Sequence, residues 1–306
     1  MPILLNQPAQ LSFDSAGRRK DYRVKPKGLY FFSQPQIGKL EVGEIGLTAP
    51  DVGPGVRPPS VTRPPSVTRP PNQDPDASSQ SSTVKIPVKV LFDDAEITTP
   101  KAWEARIRRR FDEVSHIFRK HSFVEFQIVA IESWRSDPSI NDFDRALAEF
   151  EHAVDPSPAR LAVGFTGRQR RKPPDGHLAG TRGPLQSHVL VREWVNSNTE
   201  RECLELLAHE LGHFLGAAHS PESNSVMRAV LGDRQARAAD FAIVFDPLNT
   251  FAMCLVSQEI RSRPLLRFAE MRPSTRHDLR RIYLELARAT HNDASAINYL
   301  HRATAP

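Results

Sequence analysis

The chain has 306 residues, of which 39% are hydrophobic, so it is long enough to bury a substantial core. Its 41 basic residues outnumber its 36 acidic residues by only five, which is too small a surplus to indicate nucleic acid or an anionic membrane as a partner. No run of about eighteen apolar residues occurs, so we expect no membrane-spanning helix.

The N-terminal part, residues 1–52, contains short apolar pieces typical of a few strands, and it predicts no function. At its start only Ile3, Leu4 and Leu5 form an apolar run, and no basic segment precedes them. That pattern is too short for a secretory signal peptide, so we expect none within this sequence.

A proline-rich segment follows, residues 53–83, in which the unit RPPSVT occurs twice and begins a third time. Proline fixes φ and removes backbone donors, which favours an extended, solvated linker. A ligand for a proline-recognising domain is the alternative. We therefore divide the chain into an N-terminal extension (1–52), a disordered linker (53–83) and a folded domain (84–306).

Strands and helices alternate in the folded domain. VKIPVKVLF (84–92) alternates apolar and polar residues as a half-buried strand does, and a helix is predicted next, with Thr99 as N-cap and Pro100 in its first position. The order of elements predicts an α+β fold with a mixed sheet that carries helices. The later segments are strands at 123–131, 160–167, 176–181 and 187–194 and a helix between Ile140 and Val154.

The stretch HELGHFLGAAHS (209–220) places titratable groups in a segment that otherwise resembles a core helix. Thr199 and Glu202 form a T-x-x-E capping box, which predicts that a helix begins there and runs through the motif. His209 and His213, four residues apart, then project from one face and can reach a single cation. Glu210 is rotated by about 100° from His209, so it can hold a water molecule but is poorly placed as a ligand.

Gly216 ends this helix, because a residue without Cβ can take a positive φ and let the chain turn back. His219 then approaches the same ion from another side. Three neutral imidazoles and one position left to water is the arrangement of a catalytic zinc site, whereas a structural zinc has four protein ligands.

The long motif with Gly216 and His219, followed by Met227 in NSVM, resembles the metzincin zinc peptidases, whose signature is this histidine motif and a methionine turn. The serine after His219 and the step of eight residues to Met227 are most like the matrixins, and LAVGFTG and GHLAG have adamalysin-like features. The resemblance covers about residues 84–228 plus a closing helix near 274–290.

The resemblance implies a metzincin-like fold: a twisted five-stranded sheet with helices, an active-site helix, and a smaller lower lobe that starts at Gly216. It implies one catalytic zinc ion held by His209, His213 and His219, with Met227 beneath them. It also implies an endopeptidase in which Glu210 takes a proton from a zinc-bound water and delivers it to the leaving amine. An extended polypeptide substrate would pair with the edge strand within 176–181.

Other features limit what the resemblance implies. Matrixins commonly carry a proline and an aromatic residue soon after the methionine, but here Arg228, Ala229 and Val230 follow, so side-chain specificity is not predicted. Residues 1–83 contain no cysteine, which excludes a cysteine switch from this segment. Export from the cell is suggested by the resemblance alone.

A second, structural zinc ion is not predicted. Asp175, His177 and His188 resemble fragments of the matrixin structural site, but no fourth ligand is evident. The chain's two cysteines, Cys203 and Cys254, allow one bridge or two free thiols.

Two further helices are predicted after the motif, one capped near Asn249 and one with Ser274 as its N-cap. The alternative function is a catalytically inactive, zinc-bearing module of the same fold that holds an extended peptide. The intact Glu210 argues against it.

Overall fold

The computed structural model describes the backbone of residues 9–15, 18–24, 29–36, 39–45 and 100, and both backbone and side chains of residues 83–94, 101–140, 142–167, 178–193, 198–291 and 293–304. The chain divides into two compact units, Met1–Ser82 and Thr83–Pro306. The predicted linker, 53–83, lies outside the described residues apart from Thr83, as does the proposed cap Thr99.

The first unit contains the strands expected before the linker. They form two antiparallel hairpins, one from β1 (Ala9–Ser15) and β2 (Arg18–Val24) and the other from β3 (Leu29–Gln36) and β4 (Lys39–Ile45).

The second unit contains one sheet and six helices among its described residues. Its elements are, in chain order, β5 (Val84–Asp93), α1 (Pro100–Ser122), β6 (Val124–Trp134), α2 (Phe143–Ala153), β7 (Leu161–Thr166), β8 (Ala179–Thr181), β9 (His188–Arg192), α3 (Glu200–Phe214), α4 (Pro247–Ser262), α5 (Pro273–Ala289) and α6 (Ala294–Thr304). Within the described ranges, no helix is both long and apolar enough to cross a membrane.

The sheet has the order β6-β5-β7-β9-β8. β5 pairs in parallel with β6 and β7, and β7 with β9, whereas β8 pairs antiparallel with β9 at the edge. The mixed five-stranded α+β fold is therefore confirmed. Its one antiparallel strand is the edge strand, which leaves the far side of β8 without a neighbour among the strands described here.

Helices cover both faces of the sheet. α1 packs through Trp103, whose ring lies 5.8 Å from the ring of Phe165 on β7. α2 packs on the opposite face, where Phe150 and Leu147 form a buried cluster with Ala162, because residues an odd number apart on a strand point to opposite faces.

Two of the predicted helix starts were wrong. α4 begins at Pro247 with Asp246 as its N-cap, not near Asn249, and α5 begins at Pro273 after Arg272, not after Ser274. In both helices proline occupies the first helical position, where its missing N–H costs nothing.

α4 and α5 are joined through Glu259, which is fully buried. Its carboxylate accepts hydrogen bonds from Arg263 at 2.9 Å, from Arg272 at 2.7 Å and from the hydroxyl of Thr275. Burial alone raises the pKa of Glu259, but these donors outweigh it and hold the pKa below its ordinary value.

Candidate metal centre

The helix that carries the motif begins as predicted. The Glu202 carboxylate accepts from the backbone N–H of Thr199 at 2.7 Å, and the Thr199 hydroxyl accepts from the N–H of Glu202 at 3.3 Å. This capping box satisfies two of the N–H groups that a helix start leaves unpaired. It sets the rotation of α3 and therefore the face on which the histidines lie.

His209 and His213 are both buried, and a hydrogen bond at Nδ1 fixes the orientation of each ring. Nδ1 of His209 donates to the carbonyl of Val226 at 2.8 Å, and Nδ1 of His213 donates to the carbonyl of Ala217 at 2.8 Å. A carbonyl only accepts, so both Nδ1 atoms carry the proton. In a neutral imidazole Nε2 then presents a lone pair, which is the form that binds a metal.

The chain turns after α3 at Gly216, whose φ is +89°. The hydroxyl of Tyr283 donates to the Gly216 carbonyl at 2.8 Å. Two residues on, the side-chain amide of Asn249 pairs with both the N–H and the carbonyl of Ala218, at 2.8 and 2.9 Å. These contacts from α4 and α5 fix the path of the backbone that delivers His219.

The three imidazoles converge. Their candidate ligand atoms all lie within 4.8 Å of one another, and they form the only such group among the described His, Cys, Asp and Glu residues. Nε2 of His209 lies 3.0 Å from Nε2 of His213. Two lone pairs at this distance repel unless a positive charge lies between them, so this donor set fits a shared cation such as zinc.

The electrostatics of the site favour neutral histidines. Burial, together with the neighbouring His219, lowers the pKa of His209 to about 3. Burial and the two other imidazoles lower the pKa of His213 well below its ordinary value. Both rings therefore remain in the ligand form at neutral pH.

Glu210 is 4% exposed, and its Oε2 atom has no hydrogen-bond partner within the described residues. Burial raises the pKa of this carboxyl to about 8. A buried carboxyl oxygen without a partner is costly for folding, which makes Glu210 a candidate for a functional role.

Met227 is fully buried beneath α3. Its carbonyl accepts from the N–H of Ser220 at 2.8 Å, which ties the methionine turn to the residue after His219. A Cβ added at Gly212 would lie 2.7 Å from Sδ of Met227. Gly212 stands between the two helical histidines, so the thioether supports that part of α3 directly.

Arg228, the residue after Met227, lies at the centre of an ion-pair network. It pairs with Glu205 on α3 at 2.7 Å and with Asp233 at 3.0 Å. The methionine turn is therefore fastened to α3 one turn before His209.

Of the remaining candidates, those that the structure describes do not join this group of ligand atoms. Nε2 of His188 lies 2.9 Å from the carbonyl of Val154 and Nδ1 lies 3.1 Å from the Ser187 hydroxyl, so both ring nitrogens are engaged. Asp175 and His177 lie outside the described residues. The two cysteines, Cys203 and Cys254, are free, buried thiols, so the bridge left open by the sequence is not formed.

Sequence reasoning missed three contributors from the C-terminal part of the chain. Asn249 holds the backbone before His219, Asp293 contacts the ring of His219, and Tyr299 contacts the ring of His213. Each lies at least 30 positions from the group that it contacts, and no local pattern links them.

The sequence profile of the matrixins, peptidase family M10, matches residues 89–243, slightly more than half of the chain. The chain belongs to the matrixin family. The resemblance inferred from the histidine motif and Met227 is thereby confirmed, and the second unit has the metallopeptidase fold of this family.

Among solved structures, archaemetzincin from Methanopyrus kandleri is similar over 61% of this chain and 99% of its own length, with 16% sequence identity and a TM-score of 0.42. A structure of a chaperone–substrate complex is similar over 58% of this chain and 35% of that chain, with 12% identity and a TM-score of 0.39. No curated protein sequence matches this matrixin.

Proposed function

We propose that this matrixin is a zinc-dependent endopeptidase that hydrolyses peptide bonds of protein substrates. The observation that carries the proposal is the convergence of three imidazoles, each with Nδ1 held by an acceptor, beside a buried carboxyl oxygen that has no partner among the described residues. Family membership supports the same chemistry.

His209, His213 and His219 are the proposed ligands. All three have Nδ1 engaged by an acceptor, so Nε2 of each ring is the nitrogen left for a metal ion. When bound, zinc supplies Lewis acidity that polarises a carbonyl and acidifies water.

Glu210 is the proposed general base and acid. Burial raises the pKa of this carboxyl to about 8 in the metal-free protein, and a bound cation beside it would favour the ionised form, which could take a proton at Oε2 and return it to a leaving amine. Burial at 4% exposure excludes bulk solvent from this carboxyl. The edge strand β8 offers backbone groups for an extended polypeptide, whose added strand would lie antiparallel or parallel to Ala179–Thr181.

The test is digestion of unfolded protein substrates by the wild type and by Glu210→Gln, with zinc content measured on both. Glu210→Gln should keep zinc and lose activity by roughly 10²–10⁴-fold, because it removes only the proton acceptor. Glu104→Gln is the matched control, since the Glu104 side chain is 45% exposed on α1 and pairs with Arg108. Activity that persists in Glu210→Gln, or that is indifferent to a chelator, would overturn the proposal.

The alternative, a zinc-bearing peptide-binding module without activity, gives a different result in the same experiment. It predicts stoichiometric zinc and no cleavage by the wild type. The buried Glu210 beside the histidines disfavours this alternative, because a module that only binds has no use for a buried carboxyl without a partner.

A further inference from the structure

The C-terminal segment from Asp293 to Tyr299 contacts two of the three histidines, although it lies about 50 residues beyond the end of the matrixin match at residue 243. It spans the residue before α6 and the first half of that helix. These contacts are therefore made by residues outside the signature motif to histidines within it.

Asp293 binds the ring of His219. Both carboxylate oxygens lie 3.0 Å from Nδ1, so Nδ1–H donates to a carboxylate and Nε2 keeps its lone pair. A carboxylate in this position fixes the orientation of the ring and makes its free nitrogen a stronger donor. His209 and His213 have only neutral carbonyls in the equivalent place.

The carboxylate is itself held in place at the start of α6. Asp293 accepts from the N–H of Ser295 at 2.8 Å and from its hydroxyl at 2.7 Å. The same hydroxyl oxygen accepts from the backbone N–H of His219 at 2.9 Å. The ring and the backbone of His219 are therefore both fastened to one helix start, in which Asp293 acts as a capping residue.

Tyr299 contacts His213. Its hydroxyl lies 3.1 Å from Nδ1 of His213, whose proton is already donated to Ala217, so the phenol oxygen shares that proton as an acceptor. Tyr299 is 5% exposed, and a Cβ at Gly183, whose φ is +105°, would lie 2.7 Å from its ring. The phenol is therefore confined against the His213 ring.

We propose that residues 293–299 form a metal-site clasp, in which Asp293 is a positioning residue that sets the zinc affinity of the centre through His219. The inference rests on the proposed function, since it assumes that His219 is a ligand. Three neutral imidazoles would leave the full charge of +2 on a bound divalent ion. The Asp293 carboxylate would compensate part of this charge from outside the ligand set.

The test compares Asp293→Asn with the wild type and with Glu285→Gln, which changes a half-buried carboxylate on α5 that pairs with Arg288. Asparagine caps a helix about as well as aspartate, so the stability of the metal-free protein should hardly change. The zinc dissociation constant, measured by competition with a chromophoric chelator, should rise roughly 10- to 100-fold in Asp293→Asn and stay unchanged in Glu285→Gln. The absorption bands of bound cobalt(II) should also shift in Asp293→Asn, because the donor strength of His219 changes.

A second variant covers the case in which Asp293→Asn folds poorly. Ser295→Ala removes the hydroxyl that holds both Asp293 and the backbone of His219, and it should weaken zinc binding several-fold. If the wild type takes up zinc and these variants bind it as tightly with an unchanged cobalt spectrum, the clasp is overturned while the proposed function stands. If the wild type itself binds no zinc, the proposed function fails as well.

Discussion

Gly212 offers the sharpest test of how the methionine turn supports α3. An alanine Cβ at this position would lie 2.7 Å from Sδ of Met227 and 3.0 Å from a ring carbon of Phe245. Met227 is fully buried and Phe245 is 6% exposed, so neither side chain has free space into which it can retreat. Gly212→Ala should therefore stabilise α3 through its higher helix propensity and destabilise the core through the crowded Cβ.

The two effects have known sizes. Replacing glycine by alanine inside a helix gains roughly 1 kcal/mol of stability where space is open. Forcing an extra methyl group into a filled core costs about 1–3 kcal/mol. The net expectation for Gly212→Ala is a loss of between about 0 and 2 kcal/mol, obtained by subtracting the helix gain from the packing cost.

Urea unfolding of the metal-free protein measures this balance without a contribution from zinc. Met227→Ala supplies the matched background, because it removes the sulfur that the new methyl group would meet. There Gly212→Ala should become neutral or stabilising by up to about 1 kcal/mol, giving a coupling of roughly 1–3 kcal/mol between the two sites when the whole packing cost is relieved. A Gly212→Ala protein that is about 1 kcal/mol more stable than wild type, or two substitutions that simply add, would refute the packing argument.

Two further predictions concern the turn at Gly216 and the contacts of Glu259 between α4 and α5. Gly216→Ala should lose roughly 1–3 kcal/mol and reduce zinc content, because φ is +89° and the new Cβ would lie 2.9 Å from Val256; an unchanged thermal midpoint would contradict this. Glu259→Gln should lose about 2 kcal/mol at pH 7. Because the folded pKa of Glu259 lies below its ordinary 4.5, this difference should hold above pH 4.5 and shrink as the pH falls through the folded pKa. A difference that stays constant in urea unfolding from pH 7 to about pH 3.5 would show that the charge of Glu259 is unimportant.

The helical part of the site could be predicted from the sequence because it depends on residues that are close together in the chain. The capping box at Thr199 and Glu202 sets where α3 begins, and a spacing of four places His209 and His213 on one face. Gly216 marked the turn, since only its positive φ lets the chain reverse there. Each of these inferences uses residues within about one or two helical turns.

The predicted and observed N-caps differ by three residues in α4 and by two in α5. Asp246 and Asn249 are both good capping residues, and in the structure the Asp246 carboxylate accepts from the N–H of Asn249, with Pro247 in the first helical position. α5 likewise begins at Pro273, although Ser274 is the better cap by residue type. The preference of proline for the first helical position, where its missing N–H costs nothing, predicts both starts better than the residue type of the cap does.

The contacts that complete the centre could not be inferred in this way. Asp293 caps α6 in the manner of any helix-starting aspartate, and nothing in its neighbourhood shows that its second partner is His219, 74 positions earlier. Tyr299 lies 86 positions from His213 and reads locally as an apolar residue on the buried face of α6. Only the packing of α6 brings these groups to the histidines.

This division between local and distant contributors has a physical reason. A helix delivers two ligands at a fixed separation, but a third ligand that comes from a turn has no regular structure to hold its ring. The backbone at Ala218 is held by Asn249, and the ring of His219 by Asp293, so the least constrained ligand receives contacts from both α4 and the start of α6. The precision of the centre therefore depends most on parts of the chain that lie outside the signature, and a segment that retains only the histidine motif should hold its third ligand poorly.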